Sequence, residues 1–316
     1  MKALVIGYGS IGRRHVANLC AVETIKNVII YSRHITGREG QKHEKIEFAD
    51  SIGRVQADFA VVCNETHNHL PVAMELASRG MPLFIEKPLS DSLDGTSSLH
   101  AIVKKQSLPL FIGYNLRFLG AINFVKEQVA GGIIGKPYFA SINAGQYLPA
   151  WRPGNDYRAC YSARKSLGGG VALDLSHEID YMRYIFGEPY NWTLVKTKVS
   201  DLEIDCEDLF EGIYTYPAGF TCSVHLDYLQ QQKQRSLRVV GSSGAICCNL
   251  VKKTISIDTG KNQRLITDEK LFDIDNTYKD EMDHFINIVS AHKNPCITID
   301  DGIKALQLIE EMNVQK

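Results

Sequence analysis

The chain carries almost no net charge: 35 Lys and Arg stand against 36 Asp and Glu, for a formal charge of -1. A nucleic-acid binder usually presents a basic face, so this balance argues against a polyanionic partner. No apolar run approaches the roughly 20 residues that a bilayer span needs, and no membrane partner is expected. The apolar stretch of the N-terminal "MKALVIGYGS" is too short for a secretory signal and is broken by glycines. None of the eight cysteines (Cys20, Cys63, Cys160, Cys206, Cys222, Cys247, Cys248 and Cys296) has a partner at two-residue zinc spacing, and several lie in apolar runs such as "FAVVCN". That usage suits reduced, packed thiols in a cytoplasmic protein. Adjacent Cys247 and Cys248 would diverge on a strand. "DEMDHF" (280–285) lacks a plausible third metal ligand and reads as surface, so no metal is expected.

What is present is a change of texture. A length of 316 residues is enough for two domains. Over the first hundred residues, short apolar runs alternate with helical periods. "ALVIG", "NVIIYS", "DFAVVCN", "PLFIEKP" and "LPLFIGYN" read as strands. "SIGRRHVANLCAV" sets Ile11, His15, Leu19 and Val22 on one helical face, and "HLPVAMELASRG" has Pro71 in its first turn and Gly80 past its end. Strands alternating with helices predict a parallel sheet with right-handed crossovers. Beyond about Phe118 come a helix, a polar Gly-rich stretch from Pro149 to Gly170, and an antiparallel meander from Asn191 to Asp258 punctuated by Pro217-Ala218-Gly219 and Ser242-Ser243-Gly244. Two helical periods close the chain.

"GYGSIG" places Gly7, Gly9 and Gly12 between the first strand and the first helix. Gly7 permits the tight turn, Gly9 lets backbone approach a pyrophosphate, and Gly12 lets helix and strand pack closely. The helix N-terminus offers free N–H groups and the positive end of its dipole to phosphates. Ser32 stands about twenty residues beyond Gly12, where an NAD enzyme usually holds the ribose with an acid. Arg33 follows it. A hydroxyl beside a guanidinium suits a 2′-phosphate, so NADP is favoured over NAD. The bland reading makes Arg33 a solvated loop charge.

"ETHNHLPVAMELASRGMPLFIEKPL" extends the argument. The glycine motif, the His69-Leu70-Pro71 helix start and Glu86-Lys87-Pro88 on the next strand together resemble the Gfo/Idh/MocA family, which includes glucose–fructose oxidoreductase and inositol dehydrogenase. "GYNLRF" (113–118) and "GGGVALDLSHEIDYMRYIFG" (168–187) are similar to later family segments, so the resemblance runs over nearly the whole chain. It implies a Rossmann domain, an antiparallel second domain and NAD(P)-dependent dehydrogenase or reductase chemistry at CH–OH groups. It also implies that Lys87 reaches the reacting hydroxyl beside the nicotinamide and that Pro88 is joined through a cis bond. The cofactor set it implies adds Ser10, Ile11, Asn64, His69 and Glu86 to the glycines, Ser32, Arg33 and Lys87. His67 and His69 could line the cofactor crevice or simply solvate the turn.

The proton-handling candidates are Lys87, His177 and Asp174. His suits proton transfer near neutrality. Asp174 and His177, three apart, share a face if one helix carries both. Many family members have one more residue between these positions, which puts Asp174 in doubt more than His177. "QYLPAWRPGNDYRACYSARKSLGGG" concentrates aromatic and cationic residues, a mixture that suits sugars and acidic groups. Trp151, Arg152, Tyr157 and Arg164, together with Asn115, Arg117, Lys87 and His177, form the expected substrate set. The same loop could instead be packed on its own domain or a neighbouring subunit.

The expectation is therefore an α/β chain. Residues 1–118 form a doubly wound parallel Rossmann sheet. Residues 119–316 form a substrate-binding and oligomerisation domain on a largely antiparallel open sheet. Its helices cover one face and leave the other to a second subunit, as a homodimer or homotetramer. The reaction is hydride transfer between NAD(P) and a hydroxyl-bearing carbon of a sugar, with a nucleotide-activated or acidic surface-polysaccharide sugar as one version. The alternatives are a non-catalytic dinucleotide- and sugar-binding sensor, and a reductase of an imine or tetrapyrrole.

Overall fold

The computed structural model describes residues 1–33, 43–260 and 262–310. Two compact units account for the chain: Met1–Tyr114 with Tyr278–Leu306, and Asn115–Thr277 with the segment from Gln307 onward. The sequence-based boundary at 118 assumed one crossing of the chain, whereas this division returns Tyr278–Leu306 to the first unit.

The first unit holds β1 (Lys2–Ile6), α1 (Ser10–Ala21), β2 (Asn27–Tyr31), β3 (Ile46–Phe48), β4 (Phe59–Val62), α2 (His69–Ser78), β5 (Leu83–Glu86), α3 (Thr96–Gln106) and β6 (Leu110–Gly113). Every strand pair is parallel, in the order β3-β2-β1-β4-β5-β6. Strands β4, β5 and β6 are buried along their whole length, which explains their unbroken apolar runs: a parallel sheet covered on both faces has no polar side. The order reverses between β1 and β4, and ligands of doubly wound sheets bind outside the strand ends at such a switch point.

The second unit holds α4 (Gly120–Ala130), β7 (Pro137–Gly145), α5 (Val171–Asp174), α6 (His177–Phe186), β8 (Asn191–Thr197), β9 (Leu209–Thr215), β10 (Thr221–Asp227), β11 (Gln234–Gly241), β12 (Gly244–Asn249), β13 (Thr254–Asp258) and β14 (Gln263–Ile266). Its sheet runs β14-β13-β12-β11-β7-β10-β9-β8. The expected meander is present, but the sheet is mixed: β7 pairs parallel with β10 and antiparallel with β11. Helices α5 and α6 pack against the face built from Ala140, Ile142, Phe210, Tyr214, Val224 and Leu226. Two last helices, α7 (Ile274–Ala291) and α8 (Ile299–Ile309), each contribute residues to both units. In the first unit, Phe285 of α7 meets Phe59 and Phe84 edge-on at 5.4 and 5.7 Å between centroids, and a Cβ on Gly302 of α8 would lie 2.9 Å from Leu89 Cβ.

Three elements were not foreseen. Strand β3 is only three residues long. Helix α3 buries only Thr96 and Leu99, so its apolar period is faint. Strand β14 has no fully buried residue. The eight cysteines are all free thiols, and Cys247 is exposed while Cys248 is buried, as alternation on β12 requires.

The opposite sheet face is open and mixed in character. Ile213, Val195, Phe139 and Leu265 are exposed on it, but polar groups separate them. Among these, His225 pairs through Nε2 with Asp227 (2.8 Å) and through Nδ1 with Glu211. The hydrogen bond to Asp227, followed by that to Glu211, outweighs partial burial and pushes the imidazole up to about 9. The folded-state value lies above the unfolded one near 6.5, so this network stabilises fully below about pH 6.5, and its contribution fades as pH rises through about 9. Denaturant midpoints of the wild type and His225→Gln should therefore differ most at pH 6 and converge by pH 10. A gap independent of pH would show that His225 acts by packing alone.

Candidate active site

In the first unit the site is built around the switch point. Gly7 has φ +96° and donates its N–H to Tyr31 O at 2.9 Å. A Cβ there would lie 2.7 Å from both Asn64 N and Cys63 O, so the turns after β1 and β4 touch at this point. A Cβ on Gly12 would fall 2.3 Å from Gly7 O, which is the close helix–strand approach expected of the third glycine. Gly9, in contrast, has nothing within 4 Å of where a Cβ would stand. It is the N-cap of α1 and supplies no side-chain cap. The first N–H bonded back within the turn is that of Arg13, to Gly9 O at 3.0 Å, so the N–H groups of Ser10, Ile11 and Gly12 have no intrahelical acceptor. A bare helix start beside a glycine open to solvent fits a dinucleotide pyrophosphate. Ser32 is half-buried just beyond β2, and Arg33 after it is exposed.

Lys87 follows β5, and its bond to Pro88 is cis. Glu86, the last residue of β5, is buried, and its carboxylate meets His15 Nε2 at 2.6 Å and accepts the Lys87 N–H at 3.2 Å. His69 is buried at the start of α2, with Nδ1 2.8 Å from Pro88 O and Nε2 3.1 Å from Asn64 O. It therefore stands between the turn after β4 and the Lys87-Pro88 step, and in its neutral form its one N–H donates to one of these two carbonyls. Burial lowers its pKa, although both carbonyls oppose that shift. Cys63 packs in the same crevice with its thiol on Ile6 O and Gly7 O, and burial, then the nearby Glu86 carboxylate, push its pKa well up. A thiol so placed packs as a small apolar side chain.

In the second unit, Asp174 and His177 do not share a helix. Asp174 ends α5 and His177 begins α6, with Leu175 and Ser176 between. Tyr228 Oη donates to Asp174 Oδ2 at 2.6 Å, and the Tyr161 hydroxyl also bonds this carboxylate. Burial, then the Asp174 charge, raise both phenols well above their ordinary range. Asp174 thus anchors two tyrosines, and Trp151 meets Tyr228 edge-on at 5.2 Å. His177 is 8% exposed.

Two of the expected substrate residues are committed elsewhere. Arg117 makes a bidentate pair with Asp180 (2.6 and 2.8 Å), and buried Asn115 donates to Thr277 Oγ1 at 2.7 Å. The polar loop folds into short 3-10 turns. Trp151 Nε1 donates to Gln146 O, Tyr157 Oη accepts the Glu203 N–H, and Arg164 Nε donates to Arg158 O. A small pocket is lined by Leu148, Trp151, Arg152, Asn155, Tyr157 and Cys160, and the guanidinium of exposed Arg152 lies 5.8 Å from the Tyr161 ring centre.

The sequence reading also missed Glu281. "DEMDHF" is not all surface: Glu281 is fully buried on α7 beside His15 and Glu86. The signal was present in the spacing, since Glu281 and Phe285 are one helical turn apart and share a face.

Comparison with known proteins agrees with this geometry. Residues 1–114 match the oxidoreductase family with an NAD-binding Rossmann fold, and residues 122–247 match the Gfo/Idh/MocA C-terminal domain. A myo-inositol 2-dehydrogenase of Thermotoga maritima is 29% identical over 332 aligned residues, covering 98% of this chain and 94% of its own. A levoglucosan dehydrogenase solved with NADH and levoglucosan superposes with a TM-score of 0.84 at 18% identity, over 98% of this chain and 95% of its own. A UDP-N-acetylglucosamine 3-dehydrogenase of Acidithiobacillus ferrooxidans superposes with a TM-score of 0.77 at 19% identity, over the same shares. At those identities the two structures speak for the fold alone. With both domain families matched in order along the chain, this protein belongs to the Gfo/Idh/MocA family of NAD-binding oxidoreductases.

Proposed function

We propose that the chain transfers a hydride between NAD(P) and a hydroxyl-bearing carbon of a sugar or polyol, with Lys87 and His177 handling the proton. The observation that carries this reading is the place of Lys87: it leaves the end of β5, beside the strand whose turn meets the glycine motif. When bound, the cofactor supplies the hydride chemistry, and the protein supplies position and proton transfer. Gly7, Gly9 and the N-terminus of α1 would hold its pyrophosphate. A Lys at a strand end can hold an alcohol oxygen and accept its proton once desolvated. His177 opens α6, where an imidazole can take up or deliver a proton near neutral pH. Asp174 is a support through Tyr161 and Tyr228. The 29% identical relative, a myo-inositol 2-dehydrogenase, favours polyols and sugars as the substrate class, and the exposed Arg152 beside Trp151 and Tyr157 would suit an acidic or nucleotide-activated version of such a sugar.

A positioned acid–base group is worth about a hundred- to ten-thousandfold in rate. Lys87→Met and His177→Ala should each lower kcat by that order in a screen of polyols, sugars and nucleotide sugars, while cofactor binding survives. If the two act as a unit, the double variant should be little worse than the poorer single one. Near-normal turnover in both single variants would remove the assignment.

Cofactor preference rests on Ser32 and Arg33. Losing a hydrogen bond to a charged group costs about 1.5–3 kcal/mol, so Arg33→Ala should weaken NADP roughly ten- to a hundredfold and barely change NAD. Equal losses for both cofactors would count against a 2′-phosphate contact.

The open sheet face is the proposed contact between two copies of the chain, since exposed Ile213, Val195 and Phe139 lie on it. Sedimentation equilibrium should find a homo-oligomer that Ile213→Glu dissociates. A monomeric wild type, or an assembly indifferent to Ile213→Glu, would direct the search to another surface.

A further inference from the structure

Beneath Lys87 lies a cluster for which the reaction so described has no role. His15 of α1, Glu86 of β5 and Glu281 of α7 bring one imidazole nitrogen and two carboxyl groups to within 4.8 Å of one another. His15 and Glu281 have no exposed surface, and Glu86 is 7% exposed. His15 Nε2 meets Glu86 Oε1 at 2.6 Å, while Glu86 Oε2 accepts the main-chain N–H of Lys87. Phe84 and Tyr278 meet the imidazole edge-on at 5.1 and 6.4 Å between ring centres. Both oxygens of Glu281 are buried and have no hydrogen-bond partner among the described residues.

An ionised carboxylate in that place would face a second carboxyl group with no donor of its own. Desolvation of this magnitude expels the charge before it breaks the fold. Burial, then the Glu86 charge, accordingly raise the Glu281 pKa well above the carboxylate range. The other ionisable groups close to Glu86 are Cys63 and His69, which burial disfavours from ionising, and Lys87 itself. A proton on Glu281 turns a repulsive pair of acceptors into a donor and an acceptor. Glu86 can then receive three donors at once: the Glu281 O–H, the His15 Nε2–H and the Lys87 N–H.

We propose that His15, Glu86 and Glu281 form a positioning cluster for Lys87, in which Glu281 holds a proton directed at Glu86 and Glu86 in turn fixes the main chain at the Lys87 step. No member of the cluster touches substrate. The device works through Glu86, whose two oxygens are divided between the interior and the Lys87 backbone. A misplacement of about 1 Å at a reacting group can cost a hundredfold in rate, so the effect belongs in kcat and not in cofactor affinity. This inference rests on the catalytic reading of Lys87.

The experiment has two arms, so that failure of that reading and failure of the cluster can be told apart. The first needs no substrate. Infrared spectra of the full chain at pH 8 should show the C=O stretch of a protonated carboxylic acid, shifted in D2O and absent from Glu281→Gln. Absence of the band in the wild type would overturn the proposal. So would purification with a stoichiometric divalent metal that Glu281→Gln loses, because the cluster would then be a metal site. The second arm measures turnover on whichever polyol or sugar the screen identifies, with NADH affinity followed by fluorescence. His15→Phe and Glu281→Leu should lower kcat by about a hundredfold with NADH affinity within a few fold of wild type, and Glu281→Gln should restore most of what Glu281→Leu loses. If His15→Phe does not fold, His15→Gln, which keeps a donor, replaces it and should retain more activity than Glu281→Leu. Normal kcat in folded His15→Phe and Glu281→Leu, with Lys87→Met inactive, would overturn the cluster's role and leave Lys87 in place. An active Lys87→Met would overturn the catalytic reading and with it the positioning role, while the infrared band would still judge the proton on Glu281.

Discussion

Everything on the cofactor side depends on how closely the turns after β1 and β4 can approach. Gly7 abuts the Cys63–Asn64 backbone, and Gly12 lies against the Gly7 carbonyl. A single methyl group at either position would drive the start of α1 away from the sheet. The N–H groups of Ser10, Ile11 and Gly12, which have no intrahelical acceptor, would then move away from the switch point. Gly9 obeys the opposite constraint, since its missing side chain leaves room toward solvent and not toward protein. Three glycines thus serve two purposes: two allow packing, and one allows a ligand to come close.

The Lys87-Pro88 step is held in the same way, by interactions behind it. His69 Nδ1 meets the Pro88 carbonyl, and Glu86, held by His15, bonds the Lys87 N–H. A catalytic lysine has a long and mobile side chain, so its precision has to come from the backbone that carries it. Both histidines are buried, and neither is among the groups proposed to move the proton. They hold in place the turn on which the chemistry is proposed to occur. The second unit repeats the pattern, with Asp174 holding Tyr161 and Tyr228, and Asp180 holding Arg117.

Polar residues in a suspected site therefore divide into those that face a ligand and those that hold others in place, and composition cannot separate the two. Asn115 and Arg117 lie in a segment similar to one of the family's, but Asn115 Nδ2 donates to Thr277 and Arg117 Nε and Nη2 donate to Asp180. Trp151 and Tyr157 belong to a loop rich in sugar-binding residue types, yet the indole N–H of one and the hydroxyl of the other bond to main chain. Arg152, by contrast, is exposed, with its guanidinium 5.8 Å from the Tyr161 ring centre.

The sequence by itself determined the first sheet's principal strands, the glycine turn and the Lys87-Pro88 position, because these rest on local rules: apolar runs, glycine steric freedom and the spacing of a βαβ unit. It also determined the alternation on β12 that buries Cys248 and exposes Cys247. Only the tertiary structure decided that β7 and β10 run parallel, that Tyr278–Leu306 pack in the first unit, and that a break separates Asp174 from His177. It alone brought Glu281 to His15 and Glu86, residues 266 and 195 positions away in the chain. The physical reason is the range of the forces involved. Backbone sterics and hydrophobic period act over a few residues and leave their mark on a short stretch of sequence. A buried carboxyl group is assigned its proton and its neighbours by contacts that exist only after the chain has closed on itself.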